Sequence, residues 1–194
     1  MVWSEWGRLT RFLESARIAL ARESDLWGSV EVTDSASVSI RSNQEGMTYQ
    51  ASLEQHRQAA ADSWLLHASI LLSYYALAEG AAAEKQGIDD AAAIGGIEVC
   101  GQRLLDAAGS SWQEVKGGKG GAVEVAVIRN TIAHGERHYT QRGVNRLKVA
   151  GVETPAAAGN PIELDYPSLH EYRARLRSLL RLGQVRGVGN SDVD

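Results

Sequence analysis

Arg129, Asn130 and His134 stand close together in AVIRNTIAHGERH, residues 126–138, a stretch otherwise rich in Val, Ile and Ala. A guanidinium fork matches phosphate oxygens, and an imidazole with a free pKa of about 6.5 takes or gives a proton near neutrality. A carboxamide can orient either group, so the trio suits acid–base chemistry on a phosphate. Arg and His near a helix C-terminus also complement the helix dipole and cap open carbonyls. On spacing alone, that structural role is the stronger of the two readings.

The surrounding residues predict a rigid support for the trio. In a helix over 121–134, Asn130 and His134 lie one turn apart, and Arg129 shares the neighbouring face with Ala133. Val125, Ile128 and Ile132 are spaced to bury a different side. Gly135 sits where a helix C-cap glycine belongs.

Other motifs do not carry chemistry. KGGKGG, residues 116–121, fails as a phosphate loop, because Gln113 stands where the first Gly is needed and Gly120 where Ser or Thr is needed. It reads as a flexible connection, and no strand-Gly-helix unit surrounds it to bind a dinucleotide. His134 and His138 are four apart, but Gly135 separates them and Glu136 does not directly follow the first His, so no metal site is expected. No Gly-x-Ser-x-Gly elbow occurs. Cys100, beside Val99, reads as a buried structural thiol.

The chain has 194 residues, 44% hydrophobic and 23% charged, which is the balance of a globular protein able to bury its own core. Residues 1–186 read as a single helical domain and 187–194 as a flexible tail. A lone cysteine excludes an internal disulfide and favours a reducing, cytoplasmic setting. No apolar run is long enough for a membrane span, and the charged N-terminus lacks a signal-peptide core. The net charge of −4 argues against wholesale coating of nucleic acid. Its distribution is uneven, with residues 1–128 at −7 and residues 129–186 at +5. A local cationic surface of this kind attracts a polyanion at short range.

Hydrophobic spacing predicts a mainly α fold, a bundle of about five helices with one or two small β-hairpin insertions. Trp6, Leu9, Leu13, Ala16 and Leu20 mark a first amphipathic helix over 4–23. Val30 and Val32, then Val38 and Ile40, suggest a hairpin around TDSA within 29–41. The Ala- and Leu-rich run from about Ser52 to Gln86 reads as the central core helix, broken at most once. Residues 89–108 form another helical segment, interrupted near Gly95 and Gly96. Val144, Leu147 and Val149 suggest a second hairpin with Ile162 and Leu164, within 144–164. Pro167 opens a last helix to about Leu182.

RNTIAHG, residues 129–135, resembles the signature of HEPN domains: Arg, a polar residue, a short variable run, then His, on a late helix. ASILLSYYALAEGAAAE, residues 68–84, is similar to the family's earlier core helix, which runs apolar into an acidic residue; Glu79 is better placed than Glu84 to fill that role. The resemblance implies an all-α homodimer with Arg and His of both protomers in one cleft. It further implies a metal-independent endoribonuclease, with no cofactor, of the kind found in toxin–antitoxin and phage-defence systems. Arg129, Asn130 and His134 are then the catalytic residues and Glu79 a supporting one. The expected partners are RNA and an antitoxin or regulatory protein, with no membrane. Some members of the family are non-catalytic modules that bind a protein or nucleotide, and that reading stays open. Arg173, Arg177 and Arg181, with Arg175, would guide RNA along the last helix or form its solvated face beside Leu176, Leu179 and Leu180.

Overall fold

The computed structural model describes residues 2–89, 91–153 and 156–185, so the expected tail at 187–194 lies outside the described residues. The fold is mainly α with one two-stranded hairpin. In chain order it runs α1 (Val2–Gly28), β1 (Ser39–Gln44), β2 (Met47–Ser52), α2 (Leu53–Ala61), α3 (Ser63–Gln86), a 3-10 turn (Ala91–Ile94), α4 (Ile97–Ala108), α5 (Gly118–Ala133), α6 (Gln141–Val149) and α7 (Tyr166–Leu182). None of the described helices is long and apolar enough to cross a membrane. The described residues group into two compact units, a larger one from 2–9 and from 67 onward and a smaller one of Thr10–Leu66.

In the larger unit, α5 packs against α4, α6 and α7. Leu71, Tyr74, Leu104, Leu105, Val123 and Ile128 are almost wholly removed from water, as are Leu147, Leu169, Leu176 and Leu180. Burial of this apolar surface is the main force holding the helices together. Trp6 stacks on Tyr74 at 4.7 Å between ring centroids, which ties the start of α1 to α3. His67 is buried, and its Nδ1 lies 3.0 Å from the Leu164 carbonyl, which holds the segment before α7.

The smaller unit contains the hairpin, placed later in the chain than expected. TDSA does form a turn, with Asp34 Oδ1 accepting from the Ala36 N–H at 3.1 Å, but it leads into the hairpin instead of joining its strands. The joining turn is Glu45–Gly46, both at positive φ (51° and 79°), closed by the Gln44↔Met47 pair. Two such residues make the turn whose twist matches that of the strands, and Gly46 was the signal for it. The expected core helix is broken once, at Asp62, whose N–H bonds back to Gln58 at 3.0 Å while its carboxylate accepts from Leu65 N–H at 3.3 Å.

The second hairpin expected at 144–164 is instead helix α6, followed by an irregular segment with one isolated bridge, His138↔Pro161. Val144 and Leu147 are three apart, both buried, and Thr140 caps the helix by accepting from Gly143 N–H at 3.1 Å. The cap and the helical spacing outweigh the strand preference of Val, and Val149 is left exposed. Residues 116–121 also differ from expectation. Gly118, Gly120 and Gly121 are the first turns of α5, where a Cβ on Gly121 would press within 3.2 Å of Arg175.

Candidate functional site

Helix α5 carries the motif as a nearly all-buried rod, since every residue from Gly121 to Ile132 except Glu124, Arg129 and Asn130 is removed from water. It begins at Gly117, which has φ 74°. Its C-terminus closes in a Schellman motif. Gly135, at φ 79°, donates to the Ile132 carbonyl at 2.9 Å, and Glu136 donates to Thr131 at 3.1 Å. His134 is the C-cap residue, exposed, with its backbone N–H bonded to Asn130 and Thr131 carbonyls at 3.2 Å. A Cβ at Gly135 meets nothing within 4 Å, so Gly135→Ala adds backbone strain without a clash. The expected loss is about 1–2 kcal/mol, read as a lower urea midpoint with an unchanged slope.

The Arg129 guanidinium is held from three sides. Nη1 donates to Asn130 Oδ1 at 2.8 Å, Nη2 donates to Glu79 Oε2 at 3.2 Å, and the group lies 4.9 Å from the centroid of the Tyr75 ring. Its side chain is 31% exposed and that of Glu79 38% exposed, so the pair sits at the edge of solvent. Burial raises the Glu79 pKa, and the Arg129 charge opposes that rise. Burial likewise raises the Tyr75 phenol, with the negative charge of Glu79 adding to it. Tyr75 and Glu79 also border an apolar cavity of about 30 Å³, lined further by Ile97, Cys100 and Leu104. That is room for about one water.

No protein-family model, curated protein or solved structure matches this chain. The chemistry of the site is therefore read from its own residues.

The structure brings Arg129, Asn130 and Glu79 into direct contact, and it places His134 one helical turn beyond Asn130. Among the described residues, none hydrogen-bonds to the His134 side chain, so Asn130 orients Arg129 and not the imidazole. Glu84 is exposed. His138 and Glu136 lie past the helix end and are exposed. Among the described residues, no group of three or more His, Cys, Asp or Glu side chains is placed to hold a metal ion. Cys100 is buried; Gln86 Nε2 donates to its Sγ at 3.2 Å, and burial raises the thiol pKa.

A second ion pair lies near Tyr75, between residues that no sequence motif links. Arg146 on α6 grips Glu98 on α4 through Nε at 2.9 Å and Nη2 at 2.7 Å, a bidentate fork across 48 residues. The Arg146 hydrogen bond holds the Glu98 carboxyl below its ordinary value, and the same bond raises the Arg146 pKa. No local spacing signals a pair that only helix packing brings together. On α7, Arg175 is bound to Glu124 at 2.5 Å and to Glu171 at 3.2 Å, which also meets Lys116 at 2.6 Å. Arg173 and Arg181 lie over the rings of Tyr74 and Trp3, at 5.5 and 5.8 Å, and Arg177 is half-buried. Arg175 is thus neutralised, while Arg173 and Arg181 keep their charge with an aromatic neighbour.

Proposed function

We propose that this chain is a metal-independent RNA endonuclease of the HEPN type, acting as a homodimer and serving as a toxin or phage-defence effector. The observation that carries the reading is a fixed Arg129 fork at the end of a buried helix, followed one turn later by an exposed His134 whose ring has no hydrogen-bond partner among the described residues. A guanidinium has five N–H donors, and Arg129 uses two on Glu79 and Asn130, which leaves donors for a phosphate.

In this mechanism His134 takes the proton of the ribose 2′-hydroxyl, and the 2′-oxygen attacks the adjacent phosphorus. The bond from phosphorus to the 5′-oxygen breaks, His134 of the partner protomer protonates that oxygen, and a 2′,3′-cyclic phosphate remains. Arg129 stabilises charge on the phosphoryl oxygens, and Asn130 and Glu79 hold Arg129 in place. The substrate supplies the nucleophile, so no step calls for a metal or cofactor.

The test is cleavage of RNA in EDTA, with products ending in a cyclic phosphate. DNA of the same sequence and RNA with 2′-methoxy groups should remain intact, and cutting of either contradicts the mechanism. The second reading, a non-catalytic module that binds a protein or nucleotide, is favoured by the contacts Arg129 already makes with Glu79, Asn130 and Tyr75. It predicts a stable complex and no turnover.

RNA approach along α7 has its own measurement. Replacing Arg173 and Arg181 together by Gln should weaken RNA binding and flatten its salt dependence by roughly 0.7 per lost phosphate contact. An unchanged slope would make these residues helix surface only.

A further inference from the structure

Glu23, Tyr49 and His56 form a hydrogen-bonded chain within the smaller unit, built from α1, β2 and α2 and unconnected with the phosphate chemistry proposed above. His56 Nε2 lies 2.9 Å from Glu23 Oε1, and Tyr49 Oη lies 3.1 Å from His56 Nδ1. A carboxylate only accepts, so Nε2 carries the proton toward Glu23, and in the neutral form of the ring Nδ1 accepts from the Tyr49 hydroxyl. Glu23 Oε1 also accepts from Trp27 Nε1 at 2.7 Å, and the bonds from Trp27 and His56 hold its carboxyl below the ordinary value. The imidazole is 16% exposed and stands edge-on to the Trp27 ring at 5.5 Å, while Tyr49 is 46% exposed. A hydroxyl on an exposed side chain, a sheltered base and a carboxylate orienting the base are the constellation that activates a nucleophile.

The local fold fixes this chain of groups. Arg57, the neighbour of His56 on α2, donates through Nε to the Trp27 carbonyl at 2.8 Å and through Nη2 to the Val30 carbonyl, which clamps α2 to the end of α1. Ser52 and Gln55 cap α2 reciprocally, directly after the strand that bears Tyr49. The cross-strand pair Arg41–Gln50 lies next to Tyr49 in sequence and therefore on the opposite face of the ribbon.

We propose that Tyr49 is a reactive phenol that accepts acyl groups from neutral activated esters, with His56 as its base and Glu23 as the positioning residue. Among the described residues, no cation is hydrogen-bonded to or stacked on Tyr49 or His56, so none of them offsets the charge of a phosphate-bearing donor there, whereas a neutral acyl donor needs no such partner. In the step, Tyr49 Oη bonds to the carbonyl carbon of the ester, and its proton passes to His56 Nδ1. The bond from that carbon to the leaving oxygen breaks, and the leaving group departs as the alkoxide or phenolate with the bonding electrons. His56 then returns its proton to water.

The probe is p-nitrophenyl acetate, added to the full chain, with p-nitrophenolate release followed by absorbance and the acetylated residue located by mass spectrometry. The expected result is a burst of one equivalent, an acetyl group on Tyr49, and a rate roughly 10²-fold above that of a free tyrosine amide. Tyr49→Phe should abolish the burst and leave RNA cleavage as in wild type. His56→Gln and Glu23→Gln should each slow it by about tenfold or more with an unchanged circular dichroism spectrum. Acetylation of Tyr49 no faster than of the free amide, or equal rates in folded His56→Gln and wild type, would overturn the proposal. Loss of RNA cleavage in a folded Tyr49→Phe protein would overturn the independence of the two sites.

Discussion

His134→Ala should lower RNA cleavage in EDTA by roughly 10²–10⁴-fold, the usual contribution of a positioned acid or base, without lowering stability appreciably. In the proposed mechanism the size follows from the chemistry: without the imidazole the 2′-hydroxyl keeps its proton, and in the proposed dimer the same replacement also removes the acid that releases the 5′-oxygen. The stability side follows from the structure. His134 is exposed, its backbone N–H makes the capping bonds, and no described residue hydrogen-bonds to its ring. The measurement pairs cleavage of a labelled RNA with a urea unfolding curve. A folded His134→Ala protein that cuts RNA at the wild-type rate would remove the imidazole from the mechanism.

Arg129→Ala should reduce cleavage by roughly 10²–10³-fold, the cost of removing a donor aimed at developing oxyanion charge. Arg129→Lys should recover little of it, because an ammonium has no planar fork to hold Asn130, Glu79 and a phosphate at once. This variant also carries a stability signature that a purely chemical role would not produce. Burial sets the Glu79 pKa above the ordinary value of 4.5 and Arg129 opposes that rise, so removing Arg129 raises it further. A carboxyl with a raised folded-state pKa binds more protons folded than unfolded, so stability falls as pH climbs from the ordinary value through the raised one. Arg129→Ala should therefore lose more stability than wild type between acid and neutral pH, and Arg129→Ala/Glu79→Gln should lose that extra pH dependence. Unfolding curves at a series of pH values check both. Parallel pH profiles for wild type and Arg129→Ala would show that the pair is not coupled.

The ion pair that holds Arg129 explains why the motif was only half legible. Residues 129–135 announce a helix end and a set of phosphate-capable groups through local chemistry, and the Schellman closure at Gly135 is as local as such a signal can be. Apart from the neighbouring Asn130, the partners of Arg129 are far away in the chain, at Glu79 and, through its ring, at Tyr75. Glu79 was reached by resemblance and by its place one turn after Tyr75, whereas nothing near Glu98 or Arg146 pointed to their fork.

The helices α1, α3, α5 and α7 were readable because apolar residues recur at three and four positions over many turns, and Pro167 and Gly135 punctuate them. The short elements are less legible because few residues define each. Val144 and Leu147 fit a helix turn as well as a strand fragment, and burial against α5 decided for the helix. The hairpin lay at 39–52 because Glu45 and Gly46 together take positive φ, a turn signal outweighed in sequence by the polar cluster at TDSA. By itself, then, the sequence determined the mainly helical class, the long helices and the groups capable of chemistry, since each is set by residues within a few turns. Only the tertiary structure decided which polar groups meet, because Arg129 with Glu79, Arg146 with Glu98, and His56 with Glu23 are joined by packing across distances that no local spacing encodes.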